Sequence, residues 1–387
     1  MPLPAERVYL TQALLRAFAS SLVFTVSALY AVLDLRLNPV QLVLIGTVLE
    51  ASVFLFETPT GVVADLVSRR LSVIIGVALT GLGFVLWGAV PHFVAVLAAQ
   101  ALWGIGYTFT SGAQEAWLAD EVGEVRAGPL YLRAAQAGQL GALVGIAASV
   151  ALASLRLNLP MVVGGALYAA IAPALWLTMP ESGFRPASAD GSSATLRFRR
   201  TLAAAVGAAR ARPATLTILG SALFFGAASE AFDRLPEAHL LGRFTFPGLW
   251  NLQPVVWFGV IGAGSLVTGL AATELVRRRM ATHGAAAAAT LSLIIVGLMA
   301  AVLAFAFSSS LALAIGAYWV VRFLRRLHEP IVTAWLNRGL DSGVRATVIS
   351  LHGQCDALGQ ILGGPLLGVL ATAASIPTAL VAVAALL

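Results

Sequence analysis

Long apolar runs recur along the chain, each close to the roughly 20 residues that a helix needs to cross bilayer hydrocarbon. Short polar segments separate them. The pattern predicts spans at Val8–Val32, Pro39–Val63, Leu71–Val90, Phe93–Leu118, Leu130–Ser154 and Leu159–Met179. After a polar stretch, Pro180–Pro213, it predicts further spans at Ala214–Phe232, Leu249–Thr273, Ala285–Phe307, Leu311–Leu336 and Ala346–Ala371. A twelfth begins near Ile376 and reaches Leu387, which is too short to span alone; a partial helix or a shortened sequence is expected. The first run is too long for a signal-peptide core and reads as an uncleaved span. The expected fold is an all-α membrane protein of twelve helices: a six-helix half at 1–179, a linker at 180–213 and a second six-helix half at 214–387.

The chain repeats itself. Ala116-Trp117-Leu118 matches Ala334-Trp335-Leu336, and Gln136, Gly141 and Gly145 match Gln354, Gly359 and Gly363, all in one register of 218 residues. Six identities in one register across a loop argue for duplication. A second trace pairs Gly61, Arg69 and Arg70 with Gly269, Arg277 and Arg278, offset by 208. Two parallel halves with a site between them are a known transporter plan.

Composition agrees with lipid as the main solvent. Of 387 residues, 59% are hydrophobic and 11% charged, against roughly 25% charged in soluble domains. The net charge is +6 and every basic residue is arginine. A basic chain can bind nucleic acid, but these arginines sit in short loops, where membrane orientation explains them better. With the N-terminus inside, 16 arginines fall on the cytoplasmic side and 4 outside, so both termini are expected to be cytoplasmic in a cell membrane. The basic stretch Thr195–Arg212 is partly amphipathic and suits the inner leaflet. The single cysteine, Cys355, excludes an internal disulfide and a cysteine metal site. No phosphate loop, histidine cluster or Ser-His-Asp candidate is present, so no enzyme, cofactor or metal is expected. A monomer is expected.

Gly61, Asp65, Arg69 and Arg70 lie in the segment joining spans two and three. Glycine, three residues, aspartate and a basic pair resemble the motif of the major facilitator superfamily, and Phe56-Glu57-Thr58-Pro59-Thr60-Gly61 is similar to its drug-exporter-type members. Leu66 and Ser68 depart from the motif, and the second copy has Thr273 at the aspartate position. The resemblance implies a twelve-helix bundle, transport by alternating access and a conformational latch at these four residues. Gly363-Gly364-Pro365 in span eleven resembles the antiporter motif of span five, but span five has no proline beside Gly138, Gly141 and Gly145.

Ionisable residues in spans are costly, roughly 2.5–3.5 kcal/mol each at a helix centre, and so need partners or a wet cavity. Arg16 and Glu57 match in depth and are expected to pair. Glu50, seven residues before Glu57 and on the same face, is the first candidate to bind a proton or a cationic group. Tyr107 and Glu115 lie on one stripe of span four. In span ten Arg325 and Glu329 are four apart and can pair, leaving Arg322 and Arg326 to seek Asp356 or an anionic substrate group. Glu230 is a further cavity candidate, with Asp233 and Arg234 expected at the rim. These residues, with the resemblance, point to proton-coupled export of amphipathic or cationic small molecules. The alternatives are an importer or facilitator of a metabolite with an acidic group, and a non-transporting sensor.

Overall fold

The computed structural model describes residues 3–186, 207, 213–247, 254–280, 287–337 and 342–387. Most of the basic linker, with Thr195–Arg212, lies outside the described residues, as do Trp250, Arg338 and the side chains of Arg277, Arg278, Arg279 and Arg345.

The described residues form fifteen helices and no strand. In order they are α1 (Ala5–Phe24), α2 (Ser27–Leu33), α3 (Pro39–Leu66), α4 (Arg69–Ala89), α5 (Phe93–Thr110), α6 (Ala113–Val122), α7 (Glu124–Ala153) and α8 (Leu159–Thr178). They continue as α9 (Pro213–Arg234), α10 (Pro236–Arg243), α11 (Val255–Met280), α12 (Ala287–Ala306), α13 (Leu311–Asn337), α14 (Ser342–Ala373) and α15 (Ile376–Leu386). Every expected span is occupied by helix. Span one is α1 with α2, and span four is α5 with α6.

Local chemistry explains the interruptions. Gly112 has φ 71°, a left-handed conformation open to glycine, and it ends α5 and starts α6 in the middle of an apolar run. Pro236 begins α10 at a position where its missing N–H costs nothing. Ser68 caps α4 by accepting from the Leu71 N–H at 2.9 Å. Nine of the described spans are long and apolar enough to cross a membrane. The other three are α9, α13 and α15. The first two carry charged residues, and the third is an apolar helix of 11 residues.

The chain divides into two compact units. The first comprises Met1–Leu37, Val48–Gly191 and Gly248–Gly259; the second comprises Asn38–Thr47, Ser192–Pro247 and Val260–Leu387. In the first, α1 packs on α7 and α8, and α4 packs on α5 and α8. In the second, α9 packs on α14 and α15, and α12 packs on α13 and α15. Counted as spans, these are the same four pairings six helices apart, so the sequence repeat is a repeat of packing. The second unit also holds the start of α3, where the Val40 N–H donates to Thr372 Oγ1 at 3.1 Å.

The repeated glycines sit where helices approach most closely. A Cβ at Gly141 or Gly145 would strike the backbone carbonyl of Leu14 or Phe18 on α1. A Cβ at Gly359 or Gly363 would strike Leu223 or Ala227 on α9. Small residues at such contacts let backbones meet, which is how helices associate where lipid removes the hydrophobic drive. Ser149 Oγ adds a bond to the Leu22 carbonyl at 2.7 Å, one turn beyond Gly145.

Gly141→Val and Gly359→Val should therefore each destabilise the purified protein by about 1–3 kcal/mol through overpacking. Gly316→Ala, which meets nothing within 4 Å, should leave the midpoint unchanged or slightly raised. A thermal melt in detergent checks all three; equal midpoints for Gly141→Val and Gly316→Ala would contradict the packing account.

Candidate functional site

The first unit holds a polar cluster around Arg16. Its Nε donates to Tyr168 Oη at 2.8 Å and its Nη1 donates to Gln114 Oε1. The guanidinium carbon also lies 5.6 Å from the centre of the Tyr168 ring. Tyr168 and Gln114 are buried, at 5% and 8% exposure. The expected ion pair with Glu57 is not formed: Glu57 is exposed on α3, while Arg16 turns toward α6 and α8. Rotation about the helix axis, beyond depth along it, decides which neighbour a side chain meets. Glu50 is half-buried on α3. Tyr107 is 49% exposed and Glu115 is exposed, with the Glu115 carbonyl accepting from Tyr131 Oη at 3.0 Å.

Aromatic rings continue from this cluster. Tyr168 meets Phe84 edge-on at 5.6 Å, Phe84 lies 5.6 Å from Trp103, and Trp103 lies 4.8 Å from Phe24. Phe84 is fully buried, whereas Phe24 is 39% exposed.

The motif at the α3–α4 junction makes a second cluster in the same unit. Arg69 Nη1 donates to the Ala116 carbonyl at 2.9 Å and pairs with Asp120, both on α6. Arg70 donates to the Trp176 carbonyl at the end of α8 and stacks on that ring at 5.5 Å. Glu181 just beyond α8 accepts from Ser68 Oγ at 2.7 Å and from the Arg70 N–H at 2.9 Å, closing the N-terminus of α4. Trp117 Nε1 donates to the Pro180 carbonyl at 2.7 Å. Asp65 is exposed and makes no bond to these groups, and Gly61 has nothing within 4 Å of an added Cβ. The ion pair at this junction therefore runs from Arg69 to Asp120. Asp120 and Glu181 escape sequence reading because they lie 51 and 111 residues from their partners.

The second unit concentrates charge on α9, α13 and α14. Arg325 binds Asp233 through two parallel bonds, Nη1–Oδ1 at 2.7 Å and Nη2–Oδ2 at 2.8 Å, and Arg322 Nη1 joins the same Oδ1 at 3.1 Å. Glu230, only 2% exposed, pairs with Arg234 at 3.1 Å. Asp356 accepts from Gln360 Nε2 at 2.8 Å. Two expectations are corrected. Arg325 pairs across helices with Asp233 and not with Glu329, which is exposed; Arg322 pairs with Asp233 and not with Asp356. For Arg325 the contact between helices is fork-to-fork and uses both carboxylate oxygens of Asp233, the stronger, charge-assisted arrangement. Asp233, expected at a rim, is exposed and holds both arginines. His328 stacks on Phe225 at 4.1 Å beside this network. Among the described residues no group of His, Cys, Asp or Glu is arranged to hold a metal.

The sequence profile described as Major Facilitator Superfamily matches residues 9–364. The "uncharacterized MFS-type transporter YxaM" of Bacillus subtilis (strain 168) is 23% identical over 354 residues, 90% of this chain and 84% of that protein. Among solved structures, the nucleoside transporter NupG superposes with a TM-score of 0.78 at 14% identity, covering 99% of this chain and 96% of that one. A POT family transporter in complex with 5-aminolevulinic acid superposes with a TM-score of 0.74 at 12% identity, covering 98% and 93%. A human organic anion transporter does so at 0.63 and 17% identity, covering 100% and 98%. At these identities the superpositions speak for the fold, whereas the profile match runs through nearly the whole sequence: the chain belongs to the Major Facilitator Superfamily and is a multi-pass membrane transporter.

Proposed function

We propose that the protein is a secondary active transporter that couples proton movement to the flux of small amphipathic solutes by alternating access. The observation that carries the coupling is the hub at Asp233. One carboxylate holds two arginines from α13. Adding a proton to it would remove the charge that both are paired with, so protonated and ionised hubs would differ in what holds the two arginines. A conformational equilibrium responds only to such a differential interaction. Glu230 with Arg234, and Asp356 with Gln360, flank the hub and supply further carboxylates on α9 and α14.

Export is the direction that the Phe56–Gly61 resemblance supports. Uptake uses the same cycle with the gradient reversed, and the sidedness of flux separates the two. We place the protein in the cell membrane with both termini cytoplasmic, and assign the Arg69–Asp120 pair, with Arg70 and Glu181, the part of the latch. The halves 1–179 and 214–387 are the proposed rocking bodies. The sequence offers Glu50 for a proton or a cationic group and the arginines of span ten, Arg322 among them, for an acidic one. Arg322 is committed to Asp233, Glu57 and Glu115 are exposed, and Glu50 is half-buried on α3.

Two measurements in proteoliposomes test this reading with a panel of amphipathic dyes. Asp233→Asn should lower flux driven by a pH gradient on the order of tenfold, about 1.4 kcal/mol, while counterflow without a gradient persists; gradient-driven flux at the wild-type rate would remove the hub from coupling. Arg69→Asp and Asp120→Arg should each slow counterflow, and the double exchange should recover a substantial part of it. No recovery, with all three proteins folded, would mean that the pair is not the latch.

A further inference from the structure

Arg16 is a charge inside a span whose partners are all neutral. Tyr168 Oη and Gln114 Oε1 take two of its N–H groups, and no carboxylate pairs with it among the described residues. A guanidinium carries five N–H donors in a rigid fork, so three are left for another acceptor. Contrast Arg322 and Arg325, which share a carboxylate of their own. A cation in hydrocarbon needs an anion or water, and no carboxylate among the described residues forms an ion pair with Arg16.

The break in span four adds a second, independent source of positive potential at the same place. α6 is ten residues long and starts at Ala113, directly after Gly112, with no side chain capping its N-terminus. Its first free N–H groups and its dipole therefore face an uncapped end. Gln114, the residue bonded to Arg16, lies in that first turn. Interrupted spans commonly use such half-helix N-termini to meet anionic solute groups. Glu115 occupies the same turn and offsets part of that potential, but its carboxylate is exposed and does not pair with Arg16.

The neighbouring surface is apolar and aromatic. Tyr168 leads through Phe84 to Trp103 and Phe24. Phe24 lies eight residues beyond Arg16 on the continuous helix α1, about 12 Å along its axis at 1.5 Å per residue. A small molecule with an anionic head and a ring or chain of that length meets both features at once.

We infer that the Arg16–Gln114–Tyr168 cluster, backed by the N-terminus of α6, is the site for the anionic group of the solute, and that Phe24 and Trp103 receive its apolar body. The substrate class is an amphipathic organic carboxylate. The inference deepens the transporter reading and rests on it. Binding needs no gradient, so it stands or falls separately from proton coupling at Asp233.

The test compares three probes with one ring and one three-methylene linker but different heads: 4-phenylbutyrate, 4-phenylbutyramide and 3-phenylpropylamine. Binding to the purified full chain in detergent is read by thermal shift and calorimetry. The carboxylate should bind on the order of tenfold to a hundredfold more tightly than the amide, the value of a charge-assisted hydrogen bond, and the amine most weakly. Arg16→Gln should erase that preference, while Arg16→Lys should keep part of it, because an ammonium retains the charge without the fork. The comparison of heads on the unmodified protein decides the question even if Arg16→Gln does not fold. Amide or amine binding as tight as the carboxylate overturns the inference. So does no carboxylate binding at about 1 mM, the weak end of specific affinity, or a preference that survives Arg16→Gln.

Discussion

A charge inside hydrocarbon has to be answered by its immediate neighbours, because no water or salt screens it there. That constraint organises this protein. In the second unit, α9 offers Glu230, Asp233 and Arg234 within two turns, and α13 offers Arg322 and Arg325 one turn apart. They resolve into a shared carboxylate and an adjacent pair. In the first unit, Arg16 is answered only by a phenol and an amide. Arg322 and Arg325 in the second unit meet a carboxylate, whereas Arg16 in the first meets neutral groups. The two differ in chemistry although their helices pack alike.

The shared packing has a simple basis. Gly141 and Gly145 let α7 lie directly on the carbonyls of α1, and Gly359 and Gly363 let α14 lie directly on α9. Helices in contact at the backbone have little freedom to rotate about their axes. Arg16, two residues from Leu14 and Phe18 at the first contact, is thereby aimed away from α7 and toward Gln114 and Tyr168. Glu230, three residues from Ala227 at the second contact, is held with its carboxylate against Arg234. The closest helix contacts and the chemically active residues are thus neighbours along the same helices, and one supports the other.

The junction between α3 and α4 shows the same economy at a helix end. The N-terminus of α4 is closed twice, by Ser68 immediately before it and by Glu181 from beyond α8. Arg69 and Arg70 then reach in different directions, to α6 and to α8. The basic pair carries two separate jobs, and neither of them involves Asp65.

Much of this was legible in the sequence. Span positions, the helical class and the duplication follow from apolar length and from six identities in one register, because lipid imposes a length on every crossing and helix contact imposes glycine at a fixed spacing. Candidate charges were legible too: Arg16, Glu230 and Arg322 stand out as polar residues in apolar runs. Their partners were not. Matching Arg16 to Glu57 by depth, or Arg325 to Glu329 by spacing, uses only coordinates along a helix axis. Gln114, Tyr168 and Asp233 were chosen by rotation about that axis and by which helix lies alongside. A signal for Gln114 existed in Ser111-Gly112, a break within an apolar run that exposes a helix N-terminus. The sequence by itself determined where the apolar helices lie and where charged residues interrupt them. The tertiary structure decided which charges are neutralised, because pairing depends on angles between helices that no single helix encodes.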